Sequence, residues 1–332
     1  MNNMEFSKTW KFNWKLWLPL AAILIIIVAL GYSSLHNQAS QKYYTGTDRP
    51  IIEIQSNESK IQIADKLYQN KMIKSKLVFL IFARINSQKW HYGFYQIPAQ
   101  TSALDFISMF SSGQNLVIKI TIPEGWRKEQ IGRAMEAKGI TSDNDFEAAT
   151  LRLEGKLYPD TYYFKPNSAA SDVVAEMVSD FSSKTAGLSI SADDLILASI
   201  VERETDHDAS EKSIIAGIYK NRLAIDMKLQ ADPTGIYAND TLQYSELDSA
   251  GQKAYKFWEV MSISELNALS SPYNTYYSLG LPPSPICNPS LETIMATKNY
   301  TKSDYYYFQH IKGVFYPAKT YAEHLQNAKN AN

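Results

Sequence analysis

The sequence predicts an α+β protein in three parts: a single N-terminal transmembrane helix, a small α+β module, and a larger mixed α+β domain. Three observations predict this. The run Leu16 to Tyr32 (LWLPLAAILIIIVALGY) holds 17 residues without a charge, long enough to cross a bilayer. Between residues 49 and 150, β-branched or alternating runs are interleaved with helical spacings. Beyond residue 150, amphipathic helices alternate with Pro- and Tyr-rich strings that follow no period. A length of 332 residues suits two folded domains, and 45% hydrophobic with 20% charged residues is a globular composition. The 33 basic and 34 acidic side chains nearly cancel, which argues against nucleic acid as a partner, because phosphate binding needs a basic surface. One cysteine, Cys287, excludes an intramolecular disulfide framework and a multi-Cys zinc site. Twenty-two tyrosines suit stacking on sugars or bases as well as ordinary core filling.

The elements follow in order. Lys8, Lys11 and Lys15 precede the apolar run, so residues 1–15 read as a cytoplasmic tail and 16–32 as a single-pass anchor in the cell membrane. A cleaved signal peptide is the alternative. No A-x-A site follows closely, however, and the run exceeds a usual signal core. The rest of the chain then lies outside the cytoplasm, where a lone thiol is the expected cysteine usage. Residues 33–48 (SSLHNQASQKYYTGTD) are polar and read as a stalk. Arg49 to Gln55 reads as a strand, Ser59 to Asn70 and Ser75 to Asn86 as helices, and His91 to Pro98 as a strand that ends at proline. Helices at Ser102 to Ser112, Arg127 to Lys138 and Ser142 to Leu153 flank the β-branched strand Leu116 to Pro123. A boundary near residue 150 separates a region 49–150 from a region 151–332. The order strand, helix, helix, strand at the start of the first region resembles a LysM module, which implies binding of N-acetylglucosamine-containing glycans. A small α+β spacer is the alternative.

The chemistry concentrates in Ser191 to Met227. Ser191 and Asp194 form the S-x-x-D of a capping box, and Asp208 with Glu211 can open a second helix. On the first helix Ile196, Leu197, Ile200 and Val201 make an apolar face. Glu204 follows Val201, Ile200 and Leu197 by three, four and seven residues and falls within that face; Glu202 points almost oppositely. A carboxyl set against apolar surface has a raised pKa and can serve as a general acid. It can equally be half of a structural ion pair, and the helix alone leaves both open. Asp206, His207 and Asp208 are consecutive and cannot converge on a metal from one helical face, so they read as a solvated turn.

Four polar and Pro-rich strings surround this region in sequence: Leu157–Thr161, Leu229–Thr234, Tyr273–Tyr276 and Gly280–Ile286. Such strings supply fixed polar groups around a cleft, or simply turns. The set IVERET, LQADPT, YNTY and GLPPSPI, in this order, resembles the YceG-like (MltG-type) endolytic transglycosylases of bacterial peptidoglycan. The resemblance covers nearly all of the chain after the stalk, and the anchor and LysM-like region match it too. Ala231 stands where the family usually has Thr, and Ser284 where it usually has Gly. The resemblance implies a catalytic domain over 151–332, with Glu204 as the catalytic residue and Glu202 in reserve. It implies that Gln230, Tyr273 and Asn274 hold sugar amides and hydroxyls while Asp232 fixes its loop. It also implies no metal or organic cofactor, cleavage between N-acetylmuramic acid and N-acetylglucosamine with formation of 1,6-anhydro ends, and work beside the cell-wall synthases. A water-using muramidase with Asp232 as second carboxylate, and a non-catalytic peptidoglycan-binding scaffold, are the competing readings.

Overall fold

The computed structural model describes residues 14–46, 48–205 and 209–330. It is mixed α and β, and the chain forms two compact units, Met1–Val117 and Ile118–Asn332. The first unit contains α1 (Trp14–Ser40), β1 (Lys42–Tyr44), β2 (Ile51–Ile54), α2 (Lys60–Gln69), α3 (Lys76–Ile85), β3 (Gly93–Gln96), β4 (Thr101–Ser102), α4 (Ala103–Ser112) and the start of β5 (Leu116–Thr121). The expected strand–helix–helix–strand order is present as β2–α2–α3–β3, with β2 and β3 antiparallel from Ile51↔Gln96 to Ile54↔Gly93. Ser59 and Ser75 cap α2 and α3 through their side-chain oxygens, which satisfies amides that a helix start leaves bare. The core joins Ile52, Leu67, Phe79, Tyr95 and Phe110.

Residues 17–40 of α1 are long and apolar enough to cross a membrane. The helix does not stop at Tyr32. The polar residues expected to form a stalk continue it to Ser40. Its last two turns are held by packing: the Tyr32 and His36 rings lie 5.9 and 5.8 Å from Phe82 of α3, and Ala39 is fully buried. Tyr32, His36 and Ala39 fall at i, i+4 and i+7, a single stripe.

The second unit begins inside β5, where Ile118 to Thr121 pair with β6 (Thr161–Phe164) in the register Ile118↔Phe164 to Thr121↔Thr161. It continues through α5 (Lys128–Ala137), α6 (Asp143–Ala149), α7 (Ala170–Lys184), α8 (Ala192–Glu204), α9 (Ala209–Ala224), α10 (Asp232–Glu246), α11 (Ser249–Ala254), α12 (Ile263–Ala268) and α13 (Leu291–Lys298). The hairpin β7 (Tyr307–Ile311) and β8 (Val314–Ala318) and the helix α14 (Tyr321–Asn330) complete it. The units therefore divide at 117/118 rather than near residue 150. The physical reason is a shared core: Ile120, Ile131 and Phe146 from before residue 150 pack with Leu157, Tyr162 and Val173 from after it.

A buried polar knot ties the same segments together. Asn288 donates to the Trp126 carbonyl (3.0 Å) and to Glu154 Oε1 (2.7 Å), and accepts from the Leu157 amide (2.9 Å). Arg127, wholly buried, donates to Glu129 (2.7 Å) and Thr241 (2.8 Å) and lies 4.2 Å over the Tyr237 ring. An arginine at the start of a helix reads as a surface residue in sequence; here it is an internal strut.

Candidate active site

Helix α8 runs through the centre of the second unit. Ser191 accepts from the Asp194 amide and Asp194 from the Ser191 amide, the expected capping box. Leu195 to Val201 are all buried, so the helix is enclosed on both sides rather than along one stripe. Ile196, Ile200 and Val201 meet Ile215 and Tyr219 of α9, while Leu195 and Ala198 meet Ile294 of α13.

The two carboxylates therefore both point into protein, with different surroundings. Glu202 Oε2 accepts from the Ser290 amide (3.0 Å) and hydroxyl (2.8 Å), and its other oxygen lies 3.8 Å from the Lys212 ammonium. It is the structural ion pair. Glu204, the last residue of α8, has no ion-pair partner within 4 Å among the described residues. Its Oε1 accepts from the Tyr219 hydroxyl at 2.5 Å. The residue as a whole keeps some exposure, but its carboxyl group lies among packed atoms. Desolvation above all, with the nearby Asp232 charge, pushes its pKa up to about 7 against the Tyr219 hydrogen bond and Arg222, which favour the anion. The carbonyl end of α8 also disfavours a negative charge there.

Tyr219 stays protonated, since burial beside Glu204 holds its hydroxyl well above the ordinary phenol range. Arg222, one turn further along α9, donates to the carbonyls of Tyr306 (2.6 Å) and Leu229. It fixes the approach to the LQADPT string. In that string Gln230 is exposed and has a left-handed backbone (φ 49°), and its amide meets the Thr275 carbonyl (3.3 Å). Asp232, Pro233 and Thr234 form the first turn of α10, where proline and an acidic side chain are both favoured. Asp232 Oδ1 accepts from the Tyr276 hydroxyl at 2.5 Å.

The strings LQADPT and YNTY lock together. The Thr275 hydroxyl accepts from the Ala231 amide (3.0 Å) and shares a proton with the Thr234 hydroxyl (2.8 Å), which itself accepts from the Thr275 amide (3.0 Å). Asn274 is fully buried. Its amide donates to the carbonyls of Leu266 (2.7 Å) and Leu269 (2.8 Å), and its oxygen accepts from the Tyr276 amide (3.0 Å). Tyr273 turns the other way; its hydroxyl meets Ser284 Oγ at 2.7 Å. The serine at 284 thus supplies a partner that a glycine would lack.

The structure brings Glu204, Asp232 and the supports of Gln230 into one neighbourhood. It places Tyr273 in the wall of a cavity of about 800 Å³ that also includes Ile196, Lys128 and Pro285. Glu204 is not part of that lining. Sequence reasoning missed Tyr219, Arg222, Thr275 and Tyr276. The available signal was Tyr219 itself, a polar-tipped side chain four residues from both Ile215 and Leu223 in an apolar stripe. The Asp206–Asp208 turn lies outside the described residues.

The model of the YceG-like family matches residues 52–330. A Streptococcus pneumoniae protein (strain D39) named endolytic murein transglycosylase is 26% identical over 338 aligned residues, covering 87% of this chain and 58% of its own length. A Bacillus subtilis protein of the same name is 27% identical over 299 residues, with 77% of each covered. The chain thus spans under two thirds of the pneumococcal relative. The crystal structure of a YceG-like protein from Listeria monocytogenes superposes with a TM-score of 0.52 at 26% identity, covering 83% of this chain and 98% of that one.

Proposed function

Because the chain belongs to the YceG-like family, we propose that it is a membrane-anchored endolytic murein transglycosylase that cuts between N-acetylmuramic acid and N-acetylglucosamine. The relatives' names support the reaction class. The observation that carries the residue assignment is Glu204: a carboxyl with no cation in ion-pair range among the described residues, raised to about 7 and so half protonated near neutrality. Glu204 gives its proton to the glycosidic oxygen as the bond to the muramoyl C1 breaks. The carboxylate then accepts the proton of that sugar's C6 hydroxyl, which closes onto C1 and leaves a 1,6-anhydro end. One carboxyl serves both halves, whereas a hydrolase needs two. Tyr219 steadies the anionic stage by donating to Oε1.

Gln230 and Tyr273 are the groups that hold the sugar. Asn274 takes a different role from the one its sequence suggests: with its amide engaged internally, it braces the loop. Asp232, tied to Tyr276, orders the start of α10 beside the acid. Its charge is felt at Glu204, and this favours a second reading, a muramidase in which Asp232 activates water. The anchor leaves the N-terminus in the cytoplasm and the rest outside, and the β2–α2–α3–β3 layer grips the glycan. In that place the enzyme ends nascent strands beside the cell-wall synthases.

The test is mass spectrometry of muropeptides released by the wild-type chain and by Glu204→Gln. Anhydro ends from the wild type and a loss of about 10²–10⁴-fold or more in the variant support the proposal. Reducing ends in place of anhydro ends assign the muramidase. Full activity in Glu204→Gln removes Glu204 from the chemistry.

A further inference from the structure

The cavity of about 800 Å³ has the size of a ligand site and no part in the bond-breaking described above. Its wall is apolar along Leu195, Ile196 and Pro285, and aromatic at Tyr273. Three cations line it: Lys128, Arg152 and Lys156. Lys128 already faces Glu129 (3.4 Å) and Glu147 (3.9 Å). Arg152 and Lys156 are exposed, and neither side chain has an ion-pair partner among the described residues. The acid in the lining, Glu154, is buried and engaged by Asn288 and the Lys128 amide, so it leaves Arg152 and Lys156 uncompensated. Uncompensated cations over a concave apolar wall suit a ligand that carries both carboxylates and small alkyl groups.

The cavity is also placed for such a ligand. Ile196, Ile200 and Glu204 follow one another at i, i+4 and i+8 on one face of α8. Eight residues of helix put the cavity wall about 12 Å from the acid. The YNTY string makes the same link from the other side, with Tyr273 in the cavity wall and Tyr276 on Asp232.

We propose that this cavity is a subsite for the short acidic peptide carried on a muramoyl residue, with Arg152 and Lys156 meeting its carboxylates and the α8 face its alkyl groups. The inference rests on the peptidoglycan reading of the site, and it makes the enzyme a reader of peptide-bearing strands rather than bare ones.

Binding tests it separately from cleavage. The full-length chain in detergent, carrying Glu204→Gln so that strands stay uncut, is titrated with labelled short glycan strands, either peptide-bearing or stripped of peptide by an amidase. Peptide-bearing strands should bind about 10-fold tighter or more, the worth of one or two charge-assisted contacts. Adding Arg152→Glu with Lys156→Glu should abolish the preference and leave binding of stripped strands unchanged. Lys156→Glu alone should lose part of it. No preference in the starting chain, or a preference that survives both charge reversals, overturns the subsite. Absence of cleavage by the wild-type chain overturns the enzymatic reading instead and leaves the binding result standing on its own.

Discussion

Glu204 and Glu202 are two residues apart on one helix and differ in every respect that matters for proton transfer. Glu202 faces a lysine and a serine; Glu204 faces a tyrosine hydroxyl and little water. The contrast yields a pH prediction. The proposed mechanism needs Glu204 protonated in the free enzyme, and its pKa of about 7 lies well above the ordinary 4.5. The value of kcat/KM should therefore fall about tenfold per pH unit above 7, read from a pH–rate profile. The stability sign follows from linkage. A raised folded-state pKa means that folding favours the proton; the contribution is complete below pH 4.5 and is lost as pH rises through 7. Glu204→Gln should thus gain thermal stability over the wild type at pH 8 and not at pH 4, by differential scanning fluorimetry. Glu202→Gln should do the reverse of Glu204→Gln in kind. It takes from Lys212 the buried one of its two carboxylates and leaves the more exposed Glu292 at 3.3 Å, so about 1 kcal/mol of stability should be lost while folded molecules keep their activity. Apolar residues three, four and seven positions before Glu204 made its place legible. Asn274 was less so, because a polar side chain in a loop string looks the same whether its partners are a ligand or two backbone carbonyls. Tyr219 was hidden for the opposite reason, since a tyrosine in an apolar stripe reads as core.

At the scale of elements, capping boxes and periodicity reported helices well where a helix has one wet side, as in α2 and α5. They misjudged α8, whose second face is covered by α13, an element brought in from about ninety residues later. The strings LQADPT and YNTY were legible as rigid but not as a pair, because their bond is made by two threonine hydroxyls rather than by any pattern. That bond predicts a phenotype. Thr275→Val keeps the shape but strands the buried Ala231 amide and removes the hydroxyl–hydroxyl bond to Thr234, which keeps its bonds to the Thr275 amide and the Ala231 carbonyl. A stability loss of about 1–3 kcal/mol in chemical denaturation is expected, together with a rise in KM for glycan strands as Gln230 loses its support. Unchanged stability would mean that the two strings hold their form independently.

For the whole molecule, composition made the α+β class and the apolar N-terminal helix readable, whereas the limits of the compact units were not. The chain changes from strand-rich to helix-rich near residue 150, but core membership changes inside β5, and only packing can report that. The second unit owns its core and the candidate site, which predicts that residues 116–332, with β5 kept whole, fold and cleave short soluble strands. Their binding to insoluble murein should drop relative to the chain from residue 43, measured by co-sedimentation. Equal binding would deny the first unit a role in holding the wall. One further consequence comes from α1, whose polar end continues as helix and is clasped by Phe82 and its neighbours. A tether of loose chain would let the first unit wander over a range of heights above the lipid. A helix clasped at its end sets both altitude and azimuth: about 1.5 Å and 100° for every residue between the apolar stretch and the clasp. In the membrane-anchored arrangement proposed above, the height at which that unit is held over the bilayer is therefore encoded in the length of one helix, much as a mounting post fixes an instrument.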